Sequence, residues 1–306
     1  MNHELRFGFL TVQNAPWPTM IDRWRYLEGL GFDSVWLADH FVNPNEPKQP
    51  WFEGWTLLAA LAAQTTRIRV GTLTTNNSLR HPALLARQAL TVDHISAGRL
   101  EVGIGAGGAP YDHTMLGGEV WKPPERVRRF DEAVLLLDLL LRNPETTYEG
   151  HYYQVREALM YPGPAQHPRP PLTVCAHGPS TLRTAARYAD TWNMSGTLGL
   201  GRRAGIMRSA EGMLAEVRQR SRRLDAYAIR YGRDPTSIRR SFVFVARTTT
   251  EQPWASTDAF QDFVGRYRQV GISEFIFHWP RDGVTAGIEQ VAATAIPALR
   301  SASMDL

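Results

Sequence analysis

Four short stretches carry residue types that could do chemistry. The first is Ser34-Val35-Trp36-Leu37-Ala38-Asp39-His40-Phe41, a β-rich run ending on an acid and a histidine. Imidazole can move a proton or donate a hydrogen bond near neutral pH. Neighbours on a strand point to opposite faces, so Asp39 and His40 are not expected to pair with each other. A histidine satisfied by backbone at a loop start is the competing reading of His40. The second stretch, Leu73-Thr74-Thr75-Asn76-Asn77, puts small polar groups after an apolar strand. It could offer hydrogen bonds to a planar heterocycle, or simply form a polar turn. The third, Gly103-Ile104-Gly105-Ala106-Gly107-Gly108, matches G-x-G-x-x-G literally. The dinucleotide fingerprint needs a helix opening inside the glycines, whereas Ala109-Pro110-Tyr111-Asp112 reads as loop. Gly105, Ala106 and Gly107 therefore read as bare backbone that a flat ligand can approach. The fourth, Cys175-Ala176-His177-Gly178-Pro179-Ser180-Thr181, runs from a strand straight into a helix. Free N–H groups and the positive dipole end suit a phosphate there, with Arg183 and Arg187 within two turns. Ordinary capping explains the same residues.

Around these stretches lie Trp17, Phe41, Trp51, Phe52, Trp55, Tyr111 and Trp279, several of them in proline-rich loops rather than periodic segments, with buried core as the competing reading. Of these, Trp17, Phe41, Trp51, Trp55 and Trp279 are expected to wall a partly apolar small-molecule substrate. There is no HExxH, no clustered metal-ligand spacing and no serine nucleophile elbow. Cys175 lies inside a strand and reads as packing rather than nucleophile.

The elements that must position these residues alternate regularly. Strands are expected at 5–11, 34–38, 69–74, 100–105, 172–176, 191–194, 241–246 and 274–278, with amphipathic helical stretches between them. Gly31 and Gly271 follow helices directly, where the left-handed conformation ends a helix. Thr19-x-x-Asp22 resembles a capping box. Gly178-Pro179 puts proline at a first helical position. Eight β/α units point to a single-domain (β/α)8 TIM barrel, with an open doubly wound sheet as the alternative. Insertions follow strand 2 (41–53) and strand 4 (143–171), the latter carrying a possible hairpin at 146–153. In such a barrel the strands' C-terminal ends form the active site. All four stretches sit there.

The chain has 306 residues, 43% hydrophobic and 21% charged, an ordinary globular balance. No apolar run is long enough to span a membrane. The first seven residues lack a signal-peptide pattern, so a cytoplasmic location is expected. One cysteine excludes an intramolecular disulfide framework. Lys and Arg total 34, but only Lys48 and Lys122 are lysines, leaving 32 arginines. Guanidinium grips phosphate and carboxylate bidentately, while codon bias in a GC-rich genome is the better account of their number. A net charge of +4 without a basic stripe argues against nucleic acid.

The ordered set of motifs resembles the luciferase-like monooxygenase superfamily. It comprises the strand-2 run, Arg80-His81-Pro82, Asp93-His94-Ile95-Ser96-x-Gly98-Arg99-Leu100-x-x-Gly103-Ile104-Gly105-Ala106-Gly107, and Ala186-Arg187-Tyr188-Ala189-Asp190. The resemblance implies a TIM barrel and a flavin-type cofactor. That cofactor is the deazaflavin F420 for hydride transfer, or FMN in reduced form for oxygen-dependent monooxygenation. The His40-Phe41 ending and the Thr-rich end of strand 3 look more like the F420 branch. There the matching histidine lies beside the ring, and a non-proline cis peptide near Leu73-Thr74 lies behind it. The implied cofactor residues are Asp39, His40, Leu73, Thr74, Thr75, Asn76, Gly105, Ala106, Gly107, His177, Gly178, Pro179, Ser180 and Thr181, with His40 catalytic. The branch's sugar-phosphate dehydrogenases place a glutamate just after the strand-4 glycines, where this chain has Gly108. Their strand-1 glutamate also has no counterpart in Thr11-Val12-Gln13-Asn14. The resemblance thus implies a reductase or another dehydrogenase acting on a small molecule. It also implies a homodimer, and a flavin or F420 reductase as partner. The monooxygenase and a flavin-binding protein without catalysis are the alternatives.

Overall fold

The computed structural model describes residues 3–195, 208–280 and 285–304. Barrel strands are β1 (Arg6–Leu10), β2 (Ser34–Leu37), β3 (Arg69–Thr72) with its short continuation β4 (Thr75–Asn76), β5 (Leu100–Gly105), β8 (Leu172–Cys175), β9 (Thr191–Ser195), β10 (Arg239–Phe244) and β11 (Glu274–His278). All pair in parallel in the order β3-β2-β1-β11-β10-β9-β8-β5-β4, and β3 also pairs with β5, closing the ring. This is the expected eight-stranded barrel. The third strand ends at Thr72, short of the expected Thr74, and is followed by the cis peptide between Leu73 and Thr74 that the resemblance implied.

Helices α1 (Trp17–Gly29), α2 (Gly54–Ala63), α3 (Pro82–Ile95), α5 (Pro123–Arg142), α6 (Pro179–Tyr188), α7 (Ala210–Arg230), α8 (Thr257–Arg268) and α9 (Ala286–Gln290) surround the barrel, and α9 runs through a π-helical turn into α10 (Ile296–Met304). The expected seventh helical stretch, 204–231, is seen from Ala210; residues 204–207 lie outside the described residues. Two local expectations change. Helix α1 opens at Trp17 after Pro16, with no side-chain cap, so Thr19 and Asp22 lie inside it and form no capping box. Residues 110–114, expected as loop, form a one-turn helix α4 (Pro110–Thr114). Proline at its first position has the φ a helix needs and no N–H to leave unpaired. The helix still opens beyond the glycines, so the dinucleotide fingerprint stays excluded. The hairpin is β6 (Glu145–Glu149) with β7 (Gln154–Leu159). Glu132 of α5 holds its turn by accepting from the Tyr152 and Tyr153 N–H groups.

Strand alternation divides the interior in two. Phe7 and Phe9 of β1 and Phe275 and Phe277 of β11 turn outward into the helix layer, where Trp254, Phe260 and Phe263 meet them in edge and tilted ring contacts. The intervening positions turn inward. There Trp36 fills the barrel axis with Leu10, Leu73, Val243 and Ile276 as a small second core. Its indole donates to Ser34 Oγ at 2.9 Å. The ring fits because its neighbours are glycines: a Cβ on Gly71 would lie 2.7 Å from it. This apolar plug is the floor beneath the C-terminal mouth. Among the described residues no helix is long and apolar enough to cross a membrane.

Candidate active site

The end of β2 delivers two buried carboxylate networks to the mouth. Asp39 is 1% exposed. Its Oδ2 accepts from the Asn76 N–H at 2.9 Å, and its Oδ1 accepts from Arg80 Nη2 at 3.0 Å. Arg80 also reaches Glu53 at 3.2 Å, and Glu53 caps α2 by accepting from the Trp55 and Thr56 N–H groups. Asp39 therefore ties the polar end of strand 3 to the starts of α2 and α3. As expected from alternation, it does not pair with His40.

His40 has another partner. Its Nδ1 lies 2.7 Å from Asp112 Oδ2. Asp112 is 1% exposed, and it also accepts from the Phe41 N–H at 3.0 Å and from Asn76 Nδ2 at 2.6 Å. A carboxylate can only accept, so Nδ1 carries the proton in this contact. In the neutral ring Nε2 then holds the lone pair. Asp112 is the functional residue that the sequence reading missed. It comes from the one-turn helix read as loop, 72 residues from its histidine. A lone aspartate beside Pro110 and Gly108 carries no periodic signal; the hint available was an acid one residue before a histidine at a strand's C-terminal end.

The glycines after Ile104 have a different reason from the one expected. A Cβ on Gly105 would lie 2.3 Å from Thr74 Oγ1, and one on Gly107 would lie 2.3 Å from Asn76 Oδ1. Gly107 also has φ +74°, where side chains are strained. These glycines let the end of strand 3 pack onto β5. Together Leu73, Thr74, Thr75, Asn76, Gly105, Ala106 and Gly107 form one shelf, tied to His40 through Asn76 and Asp112.

The expected aromatic wall is only partly there. Trp51 donates its indole N–H to the His40 carbonyl at 2.9 Å, and Phe41 is exposed next to it. Trp55 is instead a core residue, 2% exposed, whose indole donates to Thr75 Oγ1 at 3.2 Å; its place on α2 turns it inward. Trp279 turns toward the helix layer, edge-on to Phe9 and Tyr26 with Arg23 over its ring. Trp17 opens α1 and packs on the same outer core.

At the end of β8, Gly178 precedes α6 and Pro179 is its first residue. Thr181 Oγ1 accepts from the Gly178 N–H at 3.2 Å. Ser180 is exposed and its hydroxyl accepts from Arg183. His177 does not face this turn. It sits between Arg220 at 3.2 Å and Cys175 Sγ at 3.5 Å. Burial, then Arg220, holds its pKa down to about 4, and burial pushes the Cys175 thiol up to about 12. Both are neutral at physiological pH.

Comparison with known proteins agrees with this architecture. The sequence profile described as luciferase-like monooxygenase matches residues 5–274. An F420-dependent glucose-6-phosphate dehydrogenase of Microbacterium testaceum is 34% identical over 201 residues, which is 62% of this chain and 56% of that protein. The enzyme of the same name from Intrasporangium calvum is 28% identical over 92% of this chain and 94% of its own. A solved F420-dependent secondary alcohol dehydrogenase in complex with an F420-acetone adduct superposes with a TM-score of 0.80, at 19% identity, over 97% of this chain and 99% of that one. A closed barrel with a His–Asp pair at its mouth, matched to that profile across most of its length, makes this chain a member of the luciferase-like monooxygenase family.

Proposed function

We propose that the chain is an F420-dependent oxidoreductase that transfers a hydride between the deazaflavin and a small organic alcohol or carbonyl compound. The observation that carries this reading is the pair formed by the partly exposed His40 and the buried Asp112 at the barrel mouth. The curated relatives named as F420-dependent dehydrogenases support the cofactor. The site fits such a group. The plug of Leu10, Trp36, Leu73, Val243 and Ile276 offers an apolar floor to a flat ring. Gln13 Oε1 and Ser195 Oγ, just past β1 and at the end of β9, are buried without a hydrogen-bond partner, as a polar heterocycle edge would require. Ser180 and Thr181, in the first turn of α6, would take the phosphate.

When bound, the deazaflavin supplies a two-electron hydride acceptor or donor. The protein's part is proton transfer and orientation. In the oxidation direction His40 Nε2 takes the hydroxyl proton while the carbon loses its hydride; in the reverse direction it returns that proton to the carbonyl oxygen. Asp112 holds the ring in the tautomer this needs and stabilises the imidazolium that forms. Asp39 and Arg80 keep the shelf in place.

Asp112→Asn tests the tautomer. Asparagine keeps one acceptor oxygen: an amide nitrogen in the Oδ2 place faces His40 Nδ1 and Asn76 Nδ2, which the ring relieves by moving its proton to Nε2, and one in the Oδ1 place faces the Phe41 N–H. Turnover is expected to fall at least about tenfold, with nitrogen NMR showing the proton moved from Nδ1 to Nε2. Undiminished turnover with the proton moved to Nε2 would refute the orienting role.

Cofactor choice is tested by titrating the purified protein with F420 and with FMN, each oxidised and reduced. F420 is expected to bind and to be turned over with a panel of simple alcohols and ketones. Binding of reduced FMN with oxygen consumption, and none of F420, would assign a monooxygenase instead. Binding of F420 without turnover on any substrate would favour a carrier without catalysis.

A further inference from the structure

A groove of about 610 Å³ opens between α5 and α6, walled on one side by the β6–β7 hairpin. That volume lies within the range of small-molecule sites. Helix α6 presents Ser180, Arg183 and Arg187 to it, residues spaced three and four apart and so on one face. Helix α5 presents Arg128 and Asp131 from the other side.

The charges in this groove are unevenly satisfied. Asp131 accepts from Thr184 Oγ1 at 2.6 Å and lies 3.7 Å from Arg187. The Glu132 carboxylate is taken by the hairpin amides. Arg183 reaches only the Ser180 hydroxyl, at 3.0 Å, and lies over the Tyr227 ring. Arg128 reaches the Tyr152 hydroxyl at 3.0 Å. Neither has a carboxylate partner among the described residues. Each guanidinium has five N–H donors, so most remain open to an incoming anion. The rings beneath Arg183 and Arg187 hold them in place at little cost in further ordering.

We infer that this groove holds the glutamyl carboxylates of the F420 tail, running outward from the phosphate at the α6 N-terminus. The inference rests on the F420 reading above. Continuity favours this occupant: the groove begins at Ser180, the residue proposed to take the phosphate. Charge favours it too, because arginines from two helices, Arg128 and Arg183, line the same groove. A phosphorylated substrate would offer the same anionic chemistry, so the test must separate the two.

Deazaflavin fluorescence reads the affinity of the purified protein for F420 without a tail and for F420 with several glutamates. At low salt the tail is expected to tighten binding about tenfold, on the scale of roughly threefold for each exposed arginine–carboxylate contact. The gain should fade as salt screens it. In the doubly substituted Arg128→Gln/Arg183→Gln protein the tail-dependent gain should vanish while tail-free affinity stays within about twofold. Arg230→Gln, on the exposed end of α7, should behave as wild type. Equal wild-type affinity for both forms would overturn the groove and leave the F420 reading standing. No binding of either form would overturn both. Weaker tail-free binding in the double variant would assign the arginines to the phosphate and overturn the inference. Glucose 6-phosphate displacing tail-free F420 from wild type but not from the double variant would assign the groove to a phosphorylated substrate, with the same consequence.

Discussion

His40→Ala is expected to keep its cofactor and lose about 10²–10⁴ in turnover, the ordinary scale of a positioned proton-transfer group. The expectation follows from what the ring touches. Its Nδ1 is committed to a carboxylate that is 1% exposed and already accepts two other hydrogen bonds. The histidine thus sits in a fixed orientation with one nitrogen left for the substrate. Removing it leaves the shelf intact, because Asn76 and the Phe41 N–H still satisfy Asp112. Binding of F420, read by fluorescence, should therefore change little. Added imidazole should restore part of the lost rate if the defect is the missing proton carrier. Unchanged turnover would take His40 out of the chemistry. A loss that imidazole never rescues, accompanied by weakened cofactor binding, would make it a packing residue.

The barrel was legible because its signals are repeated. Eight apolar runs of four to seven residues, each followed by an amphipathic stretch, leave few alternative architectures. Gly31 and Gly271 end helices with φ +80° and +92°, where a turn was expected. The resemblance to a known family placed the non-proline cis bond at Leu73-Thr74, where the structure has it. The residues that were not legible are those whose partners lie far away in sequence. Asp112 meets His40 only because β5 and α4 bring the two chain segments together. Trp55 and Trp279 sit beside loops, so their surroundings suggest a rim. Their direction is set by helix phase and by the turn after β11, which send them into the packed layers. The strand-4 glycines were read toward a ligand, and the close approach of Thr74 and Asn76 that they also permit was not visible in the sequence.

Glu274 gives the second large effect, at the opposite end of the barrel from the mouth. It starts β11, and in sequence it looks like a solvated charge at a strand entrance. In the fold it turns inward, fully buried, with the Ser241 hydroxyl as its nearest polar help and, among the described residues, no guanidinium bonded to it. The neighbouring Glu101 of β5 takes the strong partners, Arg6 at 2.8 Å and Arg69, which hold it ionised. Burial, then the Glu101 charge, pushes Glu274 up from 4.5 to about 7, against the smaller pull of Arg6 and Arg239. The native protein therefore binds a proton that the unfolded chain releases near pH 4.5. This stability is present in full below that pH and lost as pH rises through about 7. The difference between the two values amounts to about 3 kcal/mol. Glu274→Gln keeps the shape and cannot ionise, so its stability should lack this step. Urea unfolding at pH 5 and pH 8 should show the wild type losing about 3 kcal/mol more than the variant between the two. Parallel losses in both proteins would show that Glu274 stays ionised in the fold, and that Arg6 and Arg239 outweigh its burial.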